Sequence, residues 1–286
     1  MSRELKEVHG IIFRSRHYQE ADLLAKMLTQ ELGIVSLIVK GALRPKSKLA
    51  GAATNFSRGC FVLATNGHGL ANLRTYKQVA VMDHLYHDIQ ANAYASYILD
   101  LVDHAFLEYQ QLAIYYDLTI WALTQLDRGT DPEIITQIMQ LKLLAAYGVA
   151  PQLSHCVLCQ QRQGPFDYSI KYGGILCPKH QSSDPGRMHL PSQATAVLRT
   201  MGLIPTSRLG KVAISPELKQ TTRHAIDRIY LATVDLNLKT KKFLDELRLL
   251  QGWLASRGSY LVTDVLKWWM INEYGELKST SSASVS

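Results

Sequence analysis

Four cysteines in 286 residues are too few to staple a fold, which excludes a disulfide-built secreted scaffold. No apolar run reaches the roughly 18 residues of a membrane span; Asp, Lys or Glu interrupts every hydrophobic stretch. The opening Met1-Ser2-Arg3-Glu4-Leu5-Lys6-Glu7 lacks the apolar centre of a signal peptide, so a cytoplasmic protein is expected. Catalytic signatures are missing too. There is no His-Glu-x-x-His, no His-x-Glu of the zinc deaminases, no Gly-x-Ser-x-Gly and no Gly-Lys-Ser/Thr phosphate loop. These absences speak against a zinc-dependent hydrolase or deaminase and against ATP hydrolysis. The expectation is a protein that is not an enzyme.

The most informative absence is of acidic residues. None occurs in residues 32–82, which hold seven basic ones: Lys40, Arg44, Lys46, Lys48, Arg58, Arg74 and Lys77. Residues 1–80 carry 12 Lys and Arg against 5 Asp and Glu, and the rest carries 19 of each, so the whole net charge of +7 lies in the first 80 residues. Such an asymmetry reads as a surface for a polyanion. The densest part is Lys40-Gly41-Ala42-Leu43-Arg44-Pro45-Lys46-Ser47-Lys48. Gly41 and Pro45 argue against a continuous helix, so an exposed loop after a strand is expected. Cations on such a loop can follow a sugar-phosphate backbone and release its counterions. The plainer reading is a solvated basic loop that aids solubility.

What is present is an ordinary globule. It is 47% hydrophobic and 19% charged, long enough for two or three domains. Residues 8–14, 34–39, 60–65 and 70–81 read as strands, and Asn66-Gly67-His68-Gly69 marks a turn between the last two. Residues 21–29 are ambiguous between helix and strand. Five short strands in about 80 residues suggest a small barrel of the oligonucleotide-binding kind. Tyr18, Phe56 and Tyr76 are candidate stacking residues, with core packing the stronger reading for Phe56.

From Met82 to Tyr147 the spacing turns helical, with Leu85, Ile89, Tyr94, Tyr97, Ile98, Leu101, Val102 and Ala105 recurring mostly three or four apart. Residues 115–126 form a second segment. Asp131-Pro132-Glu133 opens a third helix, expected to stop at Gly148. His84, His87 and His104 read as surface or capping residues. Cys156-x2-Cys159 and Cys177-x2-His180 then flank a hairpin pattern turning at Tyr172-Gly173-Gly174, the layout of a zinc ribbon. His155 is an alternative fourth ligand to His180, and buried free thiols are the plainer reading of the cysteines. A closed four-ligand site implies a structural zinc. Cys60 reads as a core residue. Residues 191–203 and 217–236 are helical again. Lys239, Lys241 and Lys242 form a second basic cluster, which also reads as an ordinary amphipathic helix start. Residues 262–271, with Trp268 and Trp269, read as a packing segment, and residues 278–286 as disordered.

Several segments in fixed order carry a family resemblance: Gly10-Ile11-Ile12; Tyr18-Gln19-Glu20-Ala21-Asp22; Lys40-Gly41-Ala42-Leu43-Arg44 with Lys46-Ser47; Leu141-Lys142-Leu143-Leu144 leading through Gly148 and Pro151 to Cys156-x2-Cys159; and Leu238-Lys239-Thr240-Lys241-Lys242-Phe243-Leu244. Over residues 5–250 the chain resembles the bacterial RecO family of DNA repair and recombination proteins. The resemblance implies an α+β multidomain fold. Its parts would be a five-stranded OB-fold barrel at 1–81 and a helical domain at 82–150 and 191–255 carrying a zinc-binding insertion at 151–190; residues 256–286 extend past the matched part as a C-terminal extension. It makes residues 21–29 a strand. It implies a protein of the bacterial cytoplasm and nucleoid. Such a protein binds single- and double-stranded DNA, anneals complementary strands, and works with RecR and the single-stranded-DNA-binding protein to load the recombinase RecA. The family's basic barrel loop maps onto Lys40, Arg44, Lys46 and Lys48, and its zinc ligands onto Cys156, Cys159 and Cys177. The fourth, commonly Cys, is His180 here. Arg14, Arg16, Arg74, Lys77, Lys239 and Lys242 complete the candidate DNA-binding set. The rival readings are an RNA-binding barrel with a zinc ribbon and a non-catalytic adaptor.

Overall fold

In the computed structural model, residues 3–112, 114–208 and 214–257 are described. The chain divides into two compact units, one ending at Leu238 and one beginning at Lys239. The expectations for residues 262–271 and 278–286 lie outside the described residues.

The first unit opens with five strands: β1 (Glu4–Tyr18), β2 (Asp22–Thr29), β3 (Gly33–Val39), β4 (Ser57–Thr65) and β5 (Ala71–Val81). They close in the order β1-β2-β3-β5-β4, with β4 returning to β1. Every pairing is antiparallel except β3 with β5, where Leu37 faces Ala71 and Ile38 faces Asn72. This is the connectivity of an oligonucleotide-binding barrel. Inward positions alternate as the pleat requires. Val8 and Ile12, Ala25 and Met27, Val35, Leu37 and Val39, Phe61 and Leu63, and Ala71 and Leu73 form one core. A short turn at Gly51–Ala53 brings Ala52 and Ala53 into that core. Closure needs close strand contact. A Cβ on Gly59 would lie 1.9 Å from the Gln78 carbonyl oxygen, so only glycine fits there.

Residues 21–29 form a strand, for a reason that helix propensity alone does not show. Beyond the inward Ala25 and Met27, the outward Leu28 is also fully buried. So are Ile11 and Ile34 on the neighbouring strands, all three outside the barrel core. The outer face of β1–β3 is therefore covered around these three residues, and β2 reads as a nearly continuous apolar run instead of alternating. Phe56 is buried, and its N–H donates to the Ile12 carbonyl at 2.7 Å.

The helices follow: α1 (Asp83–His87), α2 (Ile89–Ala105), α3 (Ile114–Asp127), α4 (Pro132–Leu143), α5 (Ser192–Leu203) and α6 (Pro216–Thr233). Asp131 caps α4 by accepting from the N–H groups of Glu133 and Ile134 at 3.0 and 3.2 Å, with Pro132 at the first turn. The helix ends at Leu143 and continues to Gly148 as turns. Several buried polar groups inside the bundle are paired: Gln140 donates to Tyr97 Oη, Tyr230 Oη to the Gln140 carbonyl, and Thr222 Oγ1 to Gln137. Between α4 and α5 stand two short strands, β6 (Asp167–Ser169) and β7 (Gly174–Leu176), paired as a hairpin. In the second unit α7 (Lys239–Arg257) is described by itself.

Candidate nucleic-acid interface and metal centre

The loop from β1 to β2 and the long loop from β3 to β4 leave the same end of the barrel, because β1 and β3 both run antiparallel to β2. The two are tied together at their bases. Asp22 Oδ1 accepts the Gly41 N–H at 2.7 Å, and the Ala21 carbonyl accepts the Leu43 N–H at 2.9 Å. Within the second loop the Gly41 carbonyl accepts from Arg44 and the Arg44 carbonyl from Ser47, at 3.2 and 3.0 Å. Successive tight turns thus throw Lys40, Arg44, Lys46 and Lys48 outward, and all four are exposed. Among the described residues none of the four forms an ion pair. An open cleft of about 460 Å³ lies between the loops, lined by Tyr18, Gln19, Asp22, Ile38, Lys40 and Arg44 among others.

The remaining candidate cations divide. Arg16 is exposed and stands two residues before Tyr18, opposite Leu24. Arg14 instead turns to α2, 2.7 Å from Asp100 Oδ1 and 3.3 Å from Asp103 Oδ2. Lys77, on β5, pairs with Glu7. That pairing pulls the Glu7 carboxyl below its usual range, and the Cys60 thiol adds to the effect by donating to Glu7 at 3.1 Å. Burial, with Glu7 behind it, pushes the Cys60 thiol up. Arg74 is exposed on β5, as is Tyr76. Lys239 and Lys242 are exposed at the start of α7, in the second unit. In the same helix Lys241 is held by Asp245 at 2.7 Å.

Sequence reasoning missed Asp22 and Lys26. Lys26 Nζ lies 2.7 Å from Asp103 Oδ1, which with Arg14 makes a charged seam between barrel and α2. Asp100, Asp103 and His104 are close enough together to hold an ion, but Arg14 and Lys26 already neutralise those carboxylates. His104 Nδ1 lies 2.8 Å from the Asp100 carbonyl. His84 sits at the start of α1, its N–H donating to Asp127, and exposed His87 faces Asp83 at 3.4 Å.

The ribbon brings its four candidate ligands together. Cys159 Sγ is 3.6 Å from Cys177 Sγ, and His180 Nδ1 is 3.4 Å from Cys177 Sγ and 3.7 Å from Cys156 Sγ. A tetrahedral ion bound at ordinary zinc–sulfur and zinc–nitrogen lengths separates its ligands by about 3.5–3.8 Å. The Cys156, Cys159, Cys177 and His180 cluster can bind a metal ion. Backbone geometry builds it: Val157 N–H donates to the Ile175 carbonyl of β7 at 3.0 Å, and Cys177 N–H points at Cys156 Sγ at 3.4 Å. Burial opposes charge on Cys156, but N–H groups of Cys177, Leu158 and Cys159 and the His180 ring overcome it and bring the thiol down to about 6. Burial, with the other two sulfurs, pushes Cys177 up. His155 turns away to Ser154 Oγ at 2.7 Å. Arg199 of α5 clamps the ribbon from below. It donates to the carbonyls of Leu153, Ser154 and Arg162 and lies 4.5 Å over the Phe166 ring.

Barrel, bundle and Cys3His ribbon together define a multidomain oligonucleotide-binding-barrel protein with a candidate metal centre in its helical region. The family profile described as Recombination protein O N terminal matches residues 1–82, and that described as Recombination protein O C terminal matches residues 86–242. The chain is 59% identical to the DNA repair protein RecO of Lactobacillus acidophilus over 249 residues, 87% of this chain and 100% of that protein. It is 36% identical to the RecO of Levilactobacillus brevis over 255 residues (89% and 97%) and to that of Enterococcus faecalis over 244 (85% and 93%). The chain belongs to the RecO family of DNA repair proteins. Among the described residues no helix is long and apolar enough to cross a membrane.

Proposed function

We propose that this chain is a non-catalytic DNA-binding mediator of recombinational repair. It binds single- and double-stranded DNA, anneals complementary strands, and helps RecR and the single-stranded-DNA-binding protein to load RecA in the bacterial cytoplasm. The observation that carries the reading is the loop holding Lys40, Arg44, Lys46 and Lys48, exposed and free of carboxylate partners among the described residues. Annealing needs no nucleophile and no general base. It needs two strands held near each other with their charge neutralised and their bases accessible, which backbone contacts from Lys and Arg provide without sequence preference. Arg16, and then Arg74, extend that surface. Arg14 and Lys77 contribute less, because carboxylates already hold them. Lys239 and Lys242 form a second cationic contact.

The ribbon takes a structural Zn²⁺ on Cys156, Cys159, Cys177 and His180. A bound ion would hold the hairpin closed with no position left for water. The working division is a DNA-binding barrel at 1–81, a helical body at 82–150 and 191–255, and the ribbon insertion at 151–190.

Two complementary labelled oligonucleotides mixed with the protein, without ATP and across a salt series, test the mediator reading. It expects faster annealing that fades as salt rises. Tight single-strand binding without acceleration would instead make the protein a binder or adaptor.

A further inference from the structure

In barrels of this type oligonucleotides lie across the β2–β3 face, flanked by the β1–β2 and β4–β5 loops. Here much of that face is occupied. Leu28 and Ile34 are sealed, Lys26 is paired to Asp103, and Ser36 donates to Glu108. Residues 107–110 cover the Gly33 end of β3: Ile34 bridges Glu108, and a Cβ on Gly33, which has φ +71°, would lie 1.9 Å from the Gln110 carbonyl oxygen. The β4–β5 turn is tied down as well, since Tyr109 Oη hydrogen-bonds Thr65 Oγ1 and the Gly69 carbonyl at 3.0 and 2.8 Å. Among the described residues only the other end of the face stays open, where Ile38 forms the apolar wall of the cleft between the two tied loops.

We propose that this cleft seats one unstacked nucleotide of a DNA strand, its base against the Tyr18 ring and Ile38 and its phosphate between Lys40 and Arg44. The inference rests on the DNA-binding reading and adds to it where, and in what state, the strand is held. Tyr18 is 39% exposed although aromatic and lines the cleft, and an aromatic face accepts any base. Gln19 offers both a donor and an acceptor to a base edge, which imposes no sequence preference. The volume of about 460 Å³ is in the range that takes one small ligand and far below that of a duplex. A base paired within a helix cannot enter, so the cleft distinguishes single strands from duplex while the lysines on the loop bind both.

The test is equilibrium binding of the full chain to three labelled probes: an oligothymidylate, an abasic strand of equal length and a duplex. Tyr18→Ala is expected to weaken oligothymidylate binding about tenfold or more, leave the abasic and duplex probes within about twofold, and leave the salt slope unchanged, because no charge is lost. Tyr18→Trp restores tight binding, and its fluorescence is quenched by oligothymidylate but not by the abasic strand. Equal weakening on all three probes, or no change on oligothymidylate, overturns the nucleotide cleft. The Lys40, Arg44, Lys46 and Lys48 quadruple Ala variant separates the two claims. If it loses affinity while Tyr18→Ala does not, only the cleft fails; if it binds like the parent protein, the loop as DNA site fails.

Discussion

Asp22 is a carboxylate beside the most cationic loop of the chain, where electrostatics alone would disfavour it for a polyanion site. Its hydrogen bond to Gly41 explains its place there: it fixes the root of the loop that carries Lys40 and Arg44. Opposite outcomes follow for two substitutions. Asp22→Asn keeps an acceptor for the Gly41 N–H and removes a negative charge, so DNA binding is expected to hold or tighten. Asp22→Ala removes the charge and the tether, and binding is expected to weaken about two- to fivefold as loop order is lost. Tighter binding by both variants in an anisotropy titration would show that the tether contributes nothing. The sequence displayed the four lysines and arginines plainly, because charge needs no partner to be read. It did not display Asp22 as a tether, Arg14 as a seam residue or Lys77 as half of a pair, because each role depends on a partner 19, 86 or 70 positions away.

At the scale of elements, the seam between β1, β2 and α2 and the Cys3His ribbon lead to separate stability predictions. The Asp103 side chain is almost fully buried and holds Lys26 while also meeting Arg14. Asp103→Ala is expected to cost about 1–2 kcal/mol, between the exposed and buried limits for ion pairs, and to lower the thermal midpoint by a few degrees. An unchanged midpoint would mean that the pairs contribute nothing net. Cys156→Ala combined with Cys159→Ala is expected to abolish metal content by atomic emission and to lower the midpoint by about 5 °C or more, since metal binding is coupled to folding. A metal-free double variant of parental stability would show the ribbon to be dispensable. Elements with a local signature were legible: the Asp131-Pro132 cap, the Asn66–Gly69 turn and the paired Cys-x2-Cys and Cys-x2-His knuckles all follow from near neighbours. Residues 21–29 were not. Their outer face is buried under residues far along the chain, and periodicity cannot register a cover it does not contain.

At the scale of the whole molecule, charge is segregated. The first 80 residues carry the entire net charge of +7, and the loop cations without partners among the described residues stand where two loops leave one end of a barrel whose usual binding face is largely covered by α2 and the segment that follows it. On the proposed function these loop cations bind DNA through its phosphates. The most direct measurement is the slope of log affinity against log salt for a single strand, for the parent protein and for the Lys40, Arg44, Lys46 and Lys48 quadruple Ala variant. Each lost phosphate contact reduces the slope by about 0.7 on single strands, so the variant is expected to show a slope shallower by about 3 and weaker binding at every salt concentration. A quadruple variant with the parental slope and affinity would contradict it, and would leave the loop an ordinary solvated surface.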